Sequence, residues 1–167
     1  MFGAQDFTEG EVIYYPMHGV GRIDSIEQYD LKDVGNVYYY VLLFFNDGIK
    51  IMVPVENAVD TGMRYVLAGD RVEEVLEALR RTADAPERNW NKRYKSNMEK
   101  LYKGETLDVA EVVKALSTRE REKTLSAGEK KMLMTARKML IAELVQAGLG
   151  LENEVTDMID KCVGQDE

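Results

Sequence analysis

The hydrophobic pattern of this chain changes its period once, and that change limits the fold more than any other feature. Up to about residue 60 the apolar residues alternate or cluster in short β-rich blocks; beyond about residue 70 they recur every three or four positions. "EVIYYP" (11–16) and "VGRIDSIEQ" (20–28) predict strands on either side of the glycine-marked turn "MHGVGR". "VYYYVLLFF" (37–45) is too continuous for a strand with one wet face. Asn46-Asp47-Gly48 supplies a turn before "IKIMVPVE" (49–56). There Ile49, Ile51, Val53 and Val55 are expected inward, and Lys50, Met52, Pro54 and Glu56 outward. Pro54 cannot donate to a ladder, which places this strand at its own end or along a sheet edge. Four or five short strands in about 60 residues predict a small antiparallel barrel of the SH3 or Tudor type.

The second half predicts helices. Asp70 is positioned to cap "RVEEVLEALRR", with Val72, Val75, Leu76 and Leu79 at helical spacing. "ADAPER" breaks that helix, and Pro86 suits the start of the next, over "RNWNKRYKSNMEKLYK" (88–103). "LDVAEVVKAL" begins a third helix running on through "STREREKT". Ser126 and Glu129 form a capping box for a fourth that stops near Gly148. "NEVTDMIDKCV" is a short last helix. The expected class is therefore α+β: a small barrel over residues 1–65 and an all-α domain of about five helices over 66–167, divided around Gly62 and Gly69.

No run approaches the length of a membrane span, and the N-terminus lacks the basic and apolar regions of a signal peptide. One Cys and one His give neither an internal disulfide nor a recognisable zinc site. The expectation is a reducing, cytoplasmic setting. The chain is acidic, with net charge −8, but unevenly so. Residues 1–64 carry 4 Lys or Arg against 10 Asp or Glu; residues 88–138 carry 14 against 7. Any acidic partner would have to meet the second half.

Catalytic signals are missing. There is no phosphate-binding glycine loop and no dinucleotide fingerprint. His18, in a Tyr-Pro-Met-His-Gly turn, has no nucleophile partner in sequence and takes a structural role. Glu73-Glu74 and Glu120/Glu122 are solvated helix faces. An enzyme, a cofactor and a metal are not expected. The one tryptophan, Trp90, lies among Arg88, Lys92, Arg93, Lys95, Lys100 and Lys103. On a helical wheel of about 100° per residue, Trp90, Leu101, Tyr94, Met98 and Tyr102 form an apolar stripe over roughly 120°. Arg88, Lys92, Lys95 and Lys103 lie across from it. Trp90 can be a core residue on an amphipathic helix, a cation–π partner that stabilises the fold, or a wedge pressed against bases while the cations neutralise phosphates. Lys130 and Lys131, at the start of the fourth helix, extend the basic face if the two helix starts are neighbours.

"YPMHGVGRIDSIE", "VPVENA", "NWNKRYKSNMEKL" and "LSAGEKKML" resemble, in order and spacing, the CarD/CdnL family of bacterial transcription regulators along roughly residues 8–148. The first motif also occurs in the polymerase-interacting domain of transcription-repair coupling factors. The resemblance implies a Tudor-like domain that pairs strand-to-strand with the β subunit of RNA polymerase, followed by a helical domain. The latter contacts promoter DNA, without sequence specificity, at the upstream edge of the melted bubble. It assigns Trp90 as a minor-groove wedge stabilising the open complex and Lys92 and Arg93 as phosphate contacts, with Lys130 and Lys131 matching more loosely; Arg88 and Lys95 join them as DNA contacts from the basic face. It assigns Lys50, Ile51, Met52, Val53 and Pro54, with Tyr29, as polymerase contacts. Some members carry arginine at the positions of Tyr29 and Met52, so charge contributes less here than backbone pairing. A monomer is expected. The rival reading is a protein-interaction adaptor without DNA contact.

Overall fold

The computed structural model describes residues 6–165, which divide into two compact units, Met1–Val66 and Leu67–Glu167.

The first unit is one antiparallel sheet of five strands: β1 (Val12–Tyr15), β2 (Gly19–Leu31), β3 (Gly35–Phe44), β4 (Lys50–Pro54) and β5 (Arg64–Tyr65). Their order is β4-β3-β2-β1-β5. The barrel expected from the sequence is therefore wrong: β4 and β5 end the sheet on opposite sides and do not pair. Closure needs both terminal strands long enough to meet in a coherent stagger. Here β5 is two residues long and pairs only with Ile13 and Tyr14 of β1. β4 stops at Pro54, which has no N–H to continue a ladder, and turns into a 3-10 segment at Val55–Asn57.

One face of the sheet is dry. Phe7, Ile13, Ile23, Tyr40, Leu42, Phe44, Val53, Ala58 and Met63 form its core. Gly21 sits where β2 and β3 approach most closely; an added Cβ would stand 2.6 Å from the Leu43 carbonyl oxygen. At Asp24 the register slips by one residue. Beyond it the β2–β3 hairpin runs out past the core, with Glu27–Leu31 exposed. That accounts for "VYYYVLLFF": only Tyr40–Leu42 and Phe44 of the run are buried, while Tyr38 and Phe45 are exposed. Ile49, expected inward, is also exposed because it closes the turn into β4. The His18 ring stacks on Phe44, with centroids 5.1 Å apart.

The second unit holds α1 (Val72–Arg80), α2 (Trp90–Lys103), α3 (Thr106–Glu122), α4 (Ala127–Gln146) and α5 (Glu152–Val163). Five helices were expected. α3 is central, packed by the other four, and buries Val109, Ala110, Val112, Val113 and Leu116. Glu143 of α4, itself buried, accepts from the Leu67 N–H at 3.0 Å and the Thr106 hydroxyl at 2.9 Å. The Lys114 ammonium, also buried, caps the end of α5 by donating to the Val163 and Gln165 carbonyls.

Two helix starts differ from expectation. Asp70 lies in a 3-10 turn, Gly69–Arg71, and makes no capping bond for α1. α2 begins at Trp90 and not at Pro86; the Asn89 side chain caps it, accepting from the Lys92 N–H at 3.2 Å. The capping box at Ser126 and Glu129 is present in full.

Candidate nucleic-acid interface

The face that α2 buries overlaps the apolar stripe only in part: Leu101 is enclosed, and Tyr94 and Met98 are half-buried. Its buried residues are Arg93, Asn97 and Leu101, whereas Trp90 and Tyr102 are exposed. Arg93 anchors this face. The guanidinium of Arg93, only 8% exposed, donates from Nε to the Glu129 carboxylate at 2.8 Å and from Nη1 to the Glu87 carbonyl at 2.9 Å. Glu129 is itself 1% exposed. A buried ion pair of this kind fixes geometry even where its net contribution to stability is small.

Glu129 performs three tasks at once. It pairs with Arg93, lies 3.8 Å from the Arg119 Nε, and closes the α4 capping box by accepting from the Ser126 N–H. Burial pushes its carboxyl up. The Arg93 hydrogen bond, the Ser126 N–H and the charges of Arg93 and Arg119 outweigh burial and hold it below the ordinary range.

The result joins the starts of α2 and α4. The Trp90 indole N–H reaches the Ser126 hydroxyl at 3.3 Å. The indole also stacks on Tyr94, with centroids 5.1 Å apart and planes at 21°. Tyr94 in turn lies over Gly128 in the first turn of α4. Trp90 is thus neither a core residue nor loose: it is 44% exposed, backed by one ring and tethered by one hydrogen bond. Two positive helix ends meet beside it.

The cations on and just before these two helices fall into two classes. Arg88, Lys92, Lys95, Lys130 and Lys131 are exposed and form no ion pair among the described residues. Lys100, Lys103 and Arg137 are each paired with a carboxylate. The sequence presented Arg93 as one more surface cation; the structure makes it the buried anchor of the group. Ser126, Tyr94 and Glu129 were missed as members of this face. The capping-box motif was visible, but nothing local linked it to a helix 36 residues earlier.

In the sheet unit, β4 forms an edge and pairs only with β3. Tyr39 lies opposite Pro54 and Val41 opposite Met52, and the Tyr29 ring meets Tyr39 edge-on at 5.7 Å. Register therefore puts Tyr29, Met52 and Pro54 on one outward face. Lys50 is on that face too, tied to Asp24 at 3.0 Å. Val53 is buried and Ile51 half-buried against the core, so at these two positions an edge partner meets backbone. Among the described residues no group of three or more His, Cys, Asp or Glu could hold a metal, and no helix is long and apolar enough to cross a membrane.

Both units match the same family. Residues 7–67 match the CarD-like/TRCF RID domain, and residues 74–160 match the CarD C-terminal domain. A putative transcription factor of Bacillus subtilis (strain 168), YdeB, is 33% identical over 138 residues, covering 83% of this chain and 90% of that protein. The chain belongs to the CarD/CdnL family of non-catalytic bacterial transcription regulators that interact with RNA polymerase.

Proposed function

We propose that this protein bridges RNA polymerase and promoter DNA and stabilises the open complex. The β4 edge, with Tyr29, Lys50, Met52 and Pro54 on its outward face and the backbone of Ile51 and Val53, pairs with a strand of the polymerase β subunit. In the helical unit, Trp90 presses on the DNA at the upstream edge of the bubble. Arg88, Lys92, Lys95, Lys130 and Lys131 neutralise phosphates beside it. Arg93 takes no DNA phosphate; it holds the starts of α2 and α4 in register. Sequence is not read, because one indole and a few phosphate contacts carry little base information.

The observation that carries this reading is the half-exposed Trp90, stacked and tethered where the starts of α2 and α4 meet, with five exposed cations carried in and just before the first two turns of those helices and no carboxylate partner on any of them among the described residues. A core tryptophan would be enclosed, and purely solubilising lysines would not gather at the two helix ends that hold the ring. The decisive experiment compares promoter open-complex lifetime with the parent protein and with Trp90→Ala, thermal unfolding being measured on the same samples. A shorter lifetime with a folded variant supports the wedge. Binding to polymerase without any salt-dependent contribution from promoter DNA would favour an adaptor instead.

A further inference from the structure

Beneath the 81–89 connection lies a cleft of about 650 Å3, between that segment and helices α2 and α3, which the proposed DNA face does not use. Its acids, Asp84, Glu87, Glu111 and Glu122, are all exposed and stand at the rim. Its floor is different. Arg93 and Asn97 are 8% and 7% exposed, and the Arg119 side chain is largely buried beside them.

The floor carries more positive charge than it neutralises. Two guanidinium groups share one carboxylate, Glu129, at 2.8 and 3.8 Å. The Arg119 Nε is buried without a hydrogen-bond acceptor. The Arg93 Nη2 group is not used by either of that residue's hydrogen bonds. The Asn97 side chain, one turn along from Arg93 and 7% exposed as a residue, makes no hydrogen bond among the described residues. Buried polar groups are nearly always satisfied, and an orphaned guanidinium nitrogen flanked by spare donors along one cleft calls for an acceptor.

We propose that this cleft is a binding site for a small phosphate-bearing anion, held by Arg119, the Arg93 Nη2 group and the Asn97 amide. A carboxylate offers two acceptor atoms and is already supplied by Glu129. One guanidinium, the remaining Nη2 of a second and an amide, all lining one cleft, suit the charge and acceptor count of phosphate better. Occupation supplies the missing negative charge and ties α2 to α3. It acts on the same Arg93–Glu129 link that sets Trp90, so the single indole reports it.

The full-length protein is titrated with inorganic phosphate and with pyrophosphate at constant ionic strength, and thermal unfolding and Trp90 fluorescence are followed. Both signals should change saturably, with Tm rising. Arg119→Gln should weaken binding by about tenfold or more, the effect of losing a charged hydrogen bond. Asn97→Asp, nearly the same shape, should leave the protein folded with Tm undiminished and abolish the response, because its carboxylate fills the role of the anion. Lys92→Gln combined with Lys130→Gln should respond like the parent. A lack of saturable response by about 10 mM, beyond the millimolar range of weak sites, would overturn the proposal. So would an undiminished response in Asn97→Asp, or a loss confined to the lysine variant, which would assign the anion to the exposed surface.

Discussion

The edge of the sheet unit and the joined helix starts of the helical unit offer partners different chemistry. At Lys50–Pro54 the side chains alternate between core and solvent, and what is continuously available is backbone along an edge strand. At Trp90 the backbone is consumed by helices and caps, and what is available is a ring and separate cations. Strand addition tolerates changes in outward side chains, so the identities of Tyr29 and Met52 matter less there than the edge backbone. The Trp90 face has no such tolerance. Its geometry depends on Arg93, Glu129, Ser126 and Tyr94, and its charge on lysines and an arginine left unpaired. The acidic balance of residues 1–64 and the basic balance of 88–138 follow the same division.

The largest expected effect lies beneath the helical face. Glu129→Gln keeps a side chain able to cap α4 but removes the charge facing Arg93 and Arg119. Breaking a buried pair from one side costs about 3–5 kcal/mol. Chemical denaturation of the variant should show a loss of this order, with altered Trp90 fluorescence. A loss near zero would mean that the pair does not hold the two helix starts. In the sheet unit the comparable test is Gly21→Ala, whose Cβ would meet the Leu43 carbonyl oxygen. Overpacking against backbone should cost about 1–3 kcal/mol, read as a lower unfolding midpoint.

Acid should separate the two regions. Glu129 titrates below its ordinary value of 4.5 when folded, so its contribution is present above that value and is lost as pH falls through the lower folded pKa. Trp90 fluorescence should report loosening of α2 and α4 in that acidic window and stay constant above it. In Glu129→Gln this transition should vanish.

Smaller effects sharpen the comparison at the contacts themselves. Met52→Glu places a charge on the outward face of β4 without touching the core, because its neighbour Val53 carries the packing. It should weaken polymerase binding by about tenfold or more with unfolding unchanged; equal binding would move the interface away from this edge. Lys92→Gln should lower the slope of log affinity against log salt by about 1 for the polymerase–promoter complex. Arg93→Lys, by contrast, should change stability before it changes that slope.

Local signals were legible and distant ones were not. The capping box at Ser126 and Glu129 needs only four consecutive residues, and α5 follows from apolar spacing, so both were readable in the sequence. The closed barrel was not a sound inference because closure depends on whether terminal strands meet. Nothing in Arg64–Tyr65 announces that β5 is too short and pairs on the far side. Arg93 looked like Lys92 and Lys95 because its burial is decided by Glu129, 36 residues away. For the same reason the helical pattern alone left open whether the stripe through Trp90, Tyr94 and Met98 faces the core. Arg93 and Leu101 face inward together, and the ring stands at the surface. Asp70 and Pro86 were plausible helix-start residues, but the chain uses Arg71 and Asn89 at those boundaries.

The central claim is that Trp90 acts as an exposed, anchored ring and not as core. Open-complex lifetime and thermal unfolding measured together on Trp90→Ala test it most directly. The expected result is a markedly shorter lifetime, unimpaired polymerase binding, and a stability loss of about 1 kcal/mol from the ring stack on Tyr94. A loss of about 3–5 kcal/mol, the range for a core aromatic, or an unchanged lifetime in a well-folded variant, would contradict it.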